Sequence, residues 1–160
     1  MIGYAKVSEV VATTFVTALI FGFYLAHYAL STGFFTAGFT PLLATLFFTS
    51  VLYTIVNTSA KAVIPRKDIV ALVEFIGAAL FTAVAAWIFL VFPLDFTHLT
   101  DIVPVSVQFL FTWINNDIGR IVVALVLIGG IISLMVNSVK FAWRVTVRQI
   151  SRTRESTGEL

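Results

Sequence analysis

The chain contains no cysteine. A disulfide framework, a thiolate nucleophile, an iron–sulfur cluster and a Cys-ligated zinc are therefore excluded. Charge is also scarce: ten Lys and Arg with eight Asp and Glu make up 11% of 160 residues, where a soluble domain carries about 25%. There are two histidines. No P-loop, HExxH, GxSxG, fluoride-channel or potassium-filter motif occurs, and neither a catalytic constellation nor a cofactor is expected. What fills the chain is apolar. Hydrophobic residues make up 59% of it and the mean hydropathy is +1.03. A soluble domain of this size still exposes about 30% of its unfolded surface and needs polar side chains to cover it. The soluble enzyme classes are thus excluded, and an integral membrane protein is expected.

Crossing the hydrocarbon core takes about 20 apolar residues, and four runs are long enough: 7–30, 41–63, 69–92 and 118–139. The first exceeds the roughly 7–15 residues of a secretion-signal core and is read as a mature span. Cytoplasmic flanks carry the excess of Lys and Arg. Lys6 precedes span one, Lys61, Arg66 and Lys67 separate spans two and three, and Lys140, Arg144, Arg148, Arg152 and Arg154 follow span four, leaving only Arg120 on the other side. The expected fold class is all-α. It is a four-helix transmembrane bundle in a single domain, residues 1–160, in the cell membrane with both termini cytoplasmic.

The connections differ in length. Residues 31–40 form a short outer loop, and 60–68 a tight inner turn in which Asp68 is placed to N-cap span three. Residues 93–117 are long for a helix–helix link and hold an apolar stretch, 102–114, too short to span. An interfacial or re-entrant segment is expected there, with Trp113 at headgroup depth and Asn115, Asn116 and Asp117 capping span four. An Asp117–Arg120 ion pair is geometrically allowed. Residues 140–160 read as a basic amphipathic cytoplasmic helix. Its Lys140, Arg144, Arg148 and Arg152 repeat every four residues and suit anionic lipid, at about 1 kcal/mol per cation, or an acidic partner. The single membrane-proximal stripe does not suit nucleic acid.

Polar side chains inside the spans form the candidate sites. Span one aligns Glu9, Thr13, Thr17 and Tyr24, with His27 and Tyr28 at the outer end. Span two aligns Thr45, Thr49, Tyr53, Asn57 and Lys61 at four-residue spacing. Facing stripes of this kind serve either as interhelical glue or as a hydrated pathway, whose candidates are Glu9, Thr13, Thr17, His27, Thr49, Asn57 and Glu74. The two glutamates either pair with basic residues, Glu9 with Lys140 and Glu74 with Lys61, or Glu9 with Lys6 and Glu74 with Arg66, or handle protons and cations at the inner mouth. Ala78, Thr82 and Ala86 with Gly129, Gly130 and Ser133 allow a close helix contact. Asp95, His98 and Asp101, three apart, make a weak metal-ligand candidate.

An internal repeat links the halves. Val56-Asn57-Thr58-Ser59-Ala60-Lys61 closes span two and Val136-Asn137-Ser138-Val139-Lys140 closes span four, while Glu9 and Glu74 sit about a turn inside spans one and three. Two spans per unit preserve orientation, so a pseudo-axis would follow the membrane normal. The segment Ser8-Glu9-Val10-Val11-Ala12-Thr13-Thr14 resembles the first-helix glutamate segment of the small multidrug-resistance transporters, which implies proton-coupled cation export with Glu9 as the binding carboxylate. The likeness covers seven residues; the long third connection and the basic tail depart from that pattern. The function expected from the whole chain is non-catalytic: assembly, as a homo-oligomer or as an accessory subunit of a membrane complex. The alternative is a small channel or transporter using the polar faces of spans one and two with Glu9 and Glu74.

Overall fold

The computed structural model describes residues 4–157, with side chains for 7–150. Lys6, Arg152 and Arg154 thus have side chains outside the described residues. The elements are α1 (Tyr4–Ala29), α2 (Pro41–Val63), α3 (Lys67–Val91), a 3-10 turn (Phe96–His98), a one-turn helix α4 (Val105–Gln108) and α5 (Asn116–Thr157). Among the described residues there is no strand, only an isolated bridge between Phe35 and Leu94. Helices α1, α2, α3 and α5 are each long and apolar enough to cross a membrane.

Local chemistry sets the boundaries. Thr40 caps α2, its hydroxyl accepting from Leu43 N at 3.3 Å, and Pro41 occupies the first turn, where a missing N–H costs nothing. That helix ends where Ile64 turns extended, the conformation a following proline demands. Helix α3 stops at Phe92, left-handed at φ 43°, ahead of Pro93. Asp68 does not cap it: Arg66 holds the cap position, and the Asp68 carboxylate binds Arg66 and Arg148. At α5 the expected cap is present, Asn115 accepting from Ile118 N at 3.0 Å. Asp117 forms no ion pair with Arg120, whose guanidinium lies 4.6 Å from the centre of the Phe92 ring.

Helix α5 is longer than span four. It runs unbroken for 42 residues, roughly 63 Å at about 1.5 Å per residue, so the basic segment continues the spanning helix. The sequence has no proline after Pro104 and no glycine between Gly130 and Gly158 to stop it. The 102–114 stretch forms one turn of helix and loops, and α4 packs on none of the long helices. Trp113 is exposed there.

The long helices pack in series: α1 on α2, α2 on α3 and α3 on α5, while α1 and α5 do not pack on each other. This is more open than a closed bundle. The core lies at the connection end, where Phe34 and Leu43 are fully buried with Phe39, Val84, Ile88, Leu94, Leu99 and Val123. The two connections join there: Thr36 N donates to Pro93 O at 3.0 Å and Asp95 N to Phe34 O at 2.7 Å. Gly33, at φ 97°, leaves room for the His98 ring, which a Cβ would meet at 2.9 Å.

Candidate functional site

Helices α1, α2, α3 and α5 line a cleft of 690 Å³, within the range of small-molecule sites, about 300–1,000 Å³. Its lining is mostly apolar with a polar line on each helix: Thr13 and Thr17 from α1; Ser50, Tyr53, Thr54 and Asn57 from α2; Glu74 from α3; Ser133 and Asn137 from α5. Because α1 and α5 stay apart, the cleft is bounded on three sides by packed helix pairs and gapes along the fourth.

Most of these polar groups are satisfied locally. The Ser50 hydroxyl donates to Phe47 O at 2.7 Å, the Thr54 hydroxyl to Val51 O, the Tyr53 hydroxyl to Val73 O at 3.2 Å and the Asn137 amide to Ser133 Oγ at 3.2 Å. Glu74 pairs with Lys61 at 2.9 Å at the turn end of the cleft, as one reading of the sequence expected. Asn57 Oδ1 is the exception: it is buried and accepts no hydrogen bond. A buried acceptor left unpaired costs about 1–3 kcal/mol, so the cleft holds one group in want of a donor.

Of the seven expected pathway residues, Thr13, Thr17, Asn57 and Glu74 meet in this cleft. The other three do not. Glu9 and Thr49 are exposed and absent from its lining. His27 is buried at the connection end, its Nδ1 2.7 Å from Thr32 Oγ1 and its ring between Phe23 and Phe34. The sequence reading missed Ser50 and Ser133 as lining residues, and it missed Gly77, over which the Tyr53 ring lies so closely that a Cβ would meet it at 2.7 Å.

The small-residue row does form a contact. Ala78 is buried, and a Cβ at Gly130 would meet Thr82 Oγ1 at 3.1 Å across the α3–α5 interface. Gly129 has nothing within 4 Å of such an atom, and Ala86 is half-buried.

The metal candidate does not converge. Asp95 Oδ1 accepts from Thr97 N at 3.0 Å, from its hydroxyl at 2.7 Å and from the Asn116 amide at 3.2 Å, whereas Asp101 pairs with His98 Nδ1 at 2.9 Å. The carboxyl of Asp95 is held below its ordinary value chiefly by the Thr97 hydroxyl, then by the Thr97 N–H, with Asn116 and the charge of His98 adding to the effect and partial burial opposing it. Among the described residues no group of three His, Cys, Asp or Glu side chains could hold a metal ion.

At the turn end, Lys140, Arg144 and Arg148 of α5 lie beside Lys67 and Asp68 at the start of α3, along clefts of 600 and 420 Å³. Arg148 bonds Asp68, so it is tied to the protein rather than left to a ligand.

The class these observations define is an all-helical protein with four helices able to cross a membrane. No family model matches the chain, and none of the curated proteins or solved structures matches it either.

Proposed function

We propose that this is a multi-pass membrane protein, both termini cytoplasmic, that acts by assembly: a transmembrane helix from a second copy or another subunit completes the cleft along α1 and α5. The observation carrying this is the open fourth side of a polar-lined cleft. In hydrocarbon there is no water to accept from hydroxyls such as those of Thr13 and Ser133, which line the cleft, and each unsatisfied group is costly. A helix bearing a hydrogen-bond acceptor removes that cost. The absence of cysteine makes a direct test possible. A photoreactive benzophenone attached at Ser133→Cys, beside the opening, should cross-link in native membranes to a second polypeptide. The same label at Leu90→Cys, exposed on α3, should not. Equal capture at both positions, or none at Ser133, rejects the reading.

A second reading rests on Thr13, Thr17, Asn57 and Glu74 lining one cleft. A small channel or transporter would use Glu74, released from Lys61, as its ion-handling carboxylate. Proton or cation flux into proteoliposomes should then be abolished by Glu74→Gln. Undiminished flux in that variant removes the carboxylate mechanism.

A further inference from the structure

Among the described residues, the turn ends of α2, α3 and α5 gather six cations, Lys61, Arg66, Lys67, Lys140, Arg144 and Arg148, against two carboxylates, Asp68 and Glu74. The ion pairs divide the cations into two sets. Lys61 is taken by Glu74, and Arg66 and Arg148 share Asp68. Among the described residues, Lys67, Lys140 and Arg144 have no carboxylate partner, and these are the three residues common to the two adjoining clefts. We propose that Lys67, Lys140 and Arg144 form a binding site for a phosphate-bearing anion.

Three features beyond net charge support this ligand class. First, the cations come from elements distant in sequence and are held in register by the protein itself. The Phe75 and Phe141 rings stack 5.7 Å apart, and the Asp68–Arg148 pair lies just beyond them. A site so fixed differs from a flexible basic tail, whose cations must be ordered on binding. Second, Lys67 opens the first turn of α3, whose cap residue Arg66 makes no side-chain hydrogen bond to the turn. The positive end of the helix dipole thus lies at the same end of α3 as Lys67. Third, the chemistry is mixed in the manner phosphate favours. Arg144 supplies a planar fork that bonds two phosphate oxygens at once, and the two lysines supply point charges. The walls also carry apolar surface, Trp143 in one cleft and Ile64 and Pro65 in the other.

The site is independent of whatever fills the α1–α5 opening. Phosphate chemistry reaches it either as a lipid headgroup or as a free phosphate compound, and the experiment separates the two sources. The full chain in neutral phosphatidylcholine nanodiscs is titrated with inorganic phosphate, and thermal stability is compared with that in nanodiscs doped with phosphatidic acid. Lys67→Gln, Lys140→Gln and Arg144→Gln are measured singly and together, with Arg120→Gln as an equal charge change at the far end. Each removed cation of the site should weaken binding about fivefold, from roughly 1 kcal/mol per cation, and Arg120→Gln should not. Stabilisation by phosphatidic acid alone, lost in the variants, assigns the site to a lipid headgroup. Stabilisation by inorganic phosphate with the same dependence assigns it to a soluble phosphate compound. A response equal in the wild type and the triple variant overturns the proposal, as does an equal loss in Arg120→Gln. Lys140→Arg keeps the charge and should retain binding, while Arg144→Lys, which loses the fork, should bind between wild type and Arg144→Gln; if Lys140→Arg loses binding as fully as Lys140→Gln, the effect is on folding and the site is rejected.

Discussion

Two helix seams in this molecule carry matching charges and end up differently. At the α2–α3 seam, Lys61 pairs with Glu74, the Tyr53 ring lies against Gly77 and its hydroxyl reaches Val73 O. The repeat expected from the sequence would place Glu9 and Lys140 correspondingly on α1 and α5, Lys140 standing 79 positions after Lys61, yet those helices do not pack on each other. Glu9 and Glu74 stand 65 positions apart, as do Ala12 and Gly77, while Asn57 and Asn137 stand 80 apart, as do Tyr53 and Ser133. At the closed seam a large ring meets a glycine. At the open one the same positions hold a serine and an alanine, with no knob and no hole. A surface ion pair contributes about 0–1 kcal/mol, too little to hold two helices together without such packing. The difference also explains the charge at the turn end: Lys61 is neutralised because its seam closed, and Lys140 stays free because the other did not.

The largest effect should come from breaking the knob-and-hole contact. Gly77→Leu drives a side chain into the Tyr53 ring, which even a Cβ would meet at 2.7 Å, and overpacking of this kind costs about 1–3 kcal/mol. Ala12→Leu, at the corresponding position of the open seam, should leave the stability of the isolated chain unchanged, because α1 has no helix against it on the α5 side. Thermal unfolding in detergent reads both. Equal losses would mean that α1 and α5 close on each other in solution and that the asymmetry between the seams does not hold.

A smaller effect sharpens the role of charge. Glu74→Gln should destabilise by about 0.2–1 kcal/mol, the range for partly exposed pairs, since the Lys61 side chain is 46% exposed. Glu9→Gln should change nothing in the isolated chain. If Glu9→Gln proves the costlier of the two, Glu9 has a partner that the packing of a single chain does not provide.

The spans were legible in the sequence because length and hydropathy alone define them. Helix α2 covers the expected 41–63, and α3 begins two residues before the expected 69. The cleft was legible only in part, and helix geometry gives the reason. A helix turns about 100° per residue, so a four-residue step overshoots a full turn by about 40°. Counting back from Thr17, Glu9 is two such steps away, about 80° off the cleft. Thr49 lies one step from Tyr53, and Ser50, three before Tyr53, takes its place in the lining. A line alternating threes and fours, as 50, 53, 57 does, would have found it. Gly77 gave no local signal, since its role exists only where Tyr53 of another helix arrives. Asp68 showed an N-cap pattern, but Arg148, 80 residues away, claims its carboxylate.

The packed α3–α5 seam has a clasp of its own at the connection end, and pH tests it. Asp95 binds Thr97 and the Asn116 amide, and Asn116 Oδ1 in turn accepts from Phe96 N at 2.7 Å, joining the chain after α3 to the start of α5. The hydrogen bonds favour the carboxylate, so its folded value lies below the ordinary one of 3.8. A group whose pKa falls on folding contributes stability that is complete above its unfolded value and is lost as pH drops through the folded value. The clasp should therefore be intact near neutrality and weaken below about pH 4, the ordinary carboxylate range. Asp95→Asn should be less stable than wild type at pH 7, and the gap should shrink as pH falls below that range. A stability gap that stays constant with pH would mean that the Asp95 charge does not hold the clasp, leaving the α3–α5 seam to its packing at Gly130 and Thr82, the Phe75–Phe141 stack and the Asp68–Arg148 pair.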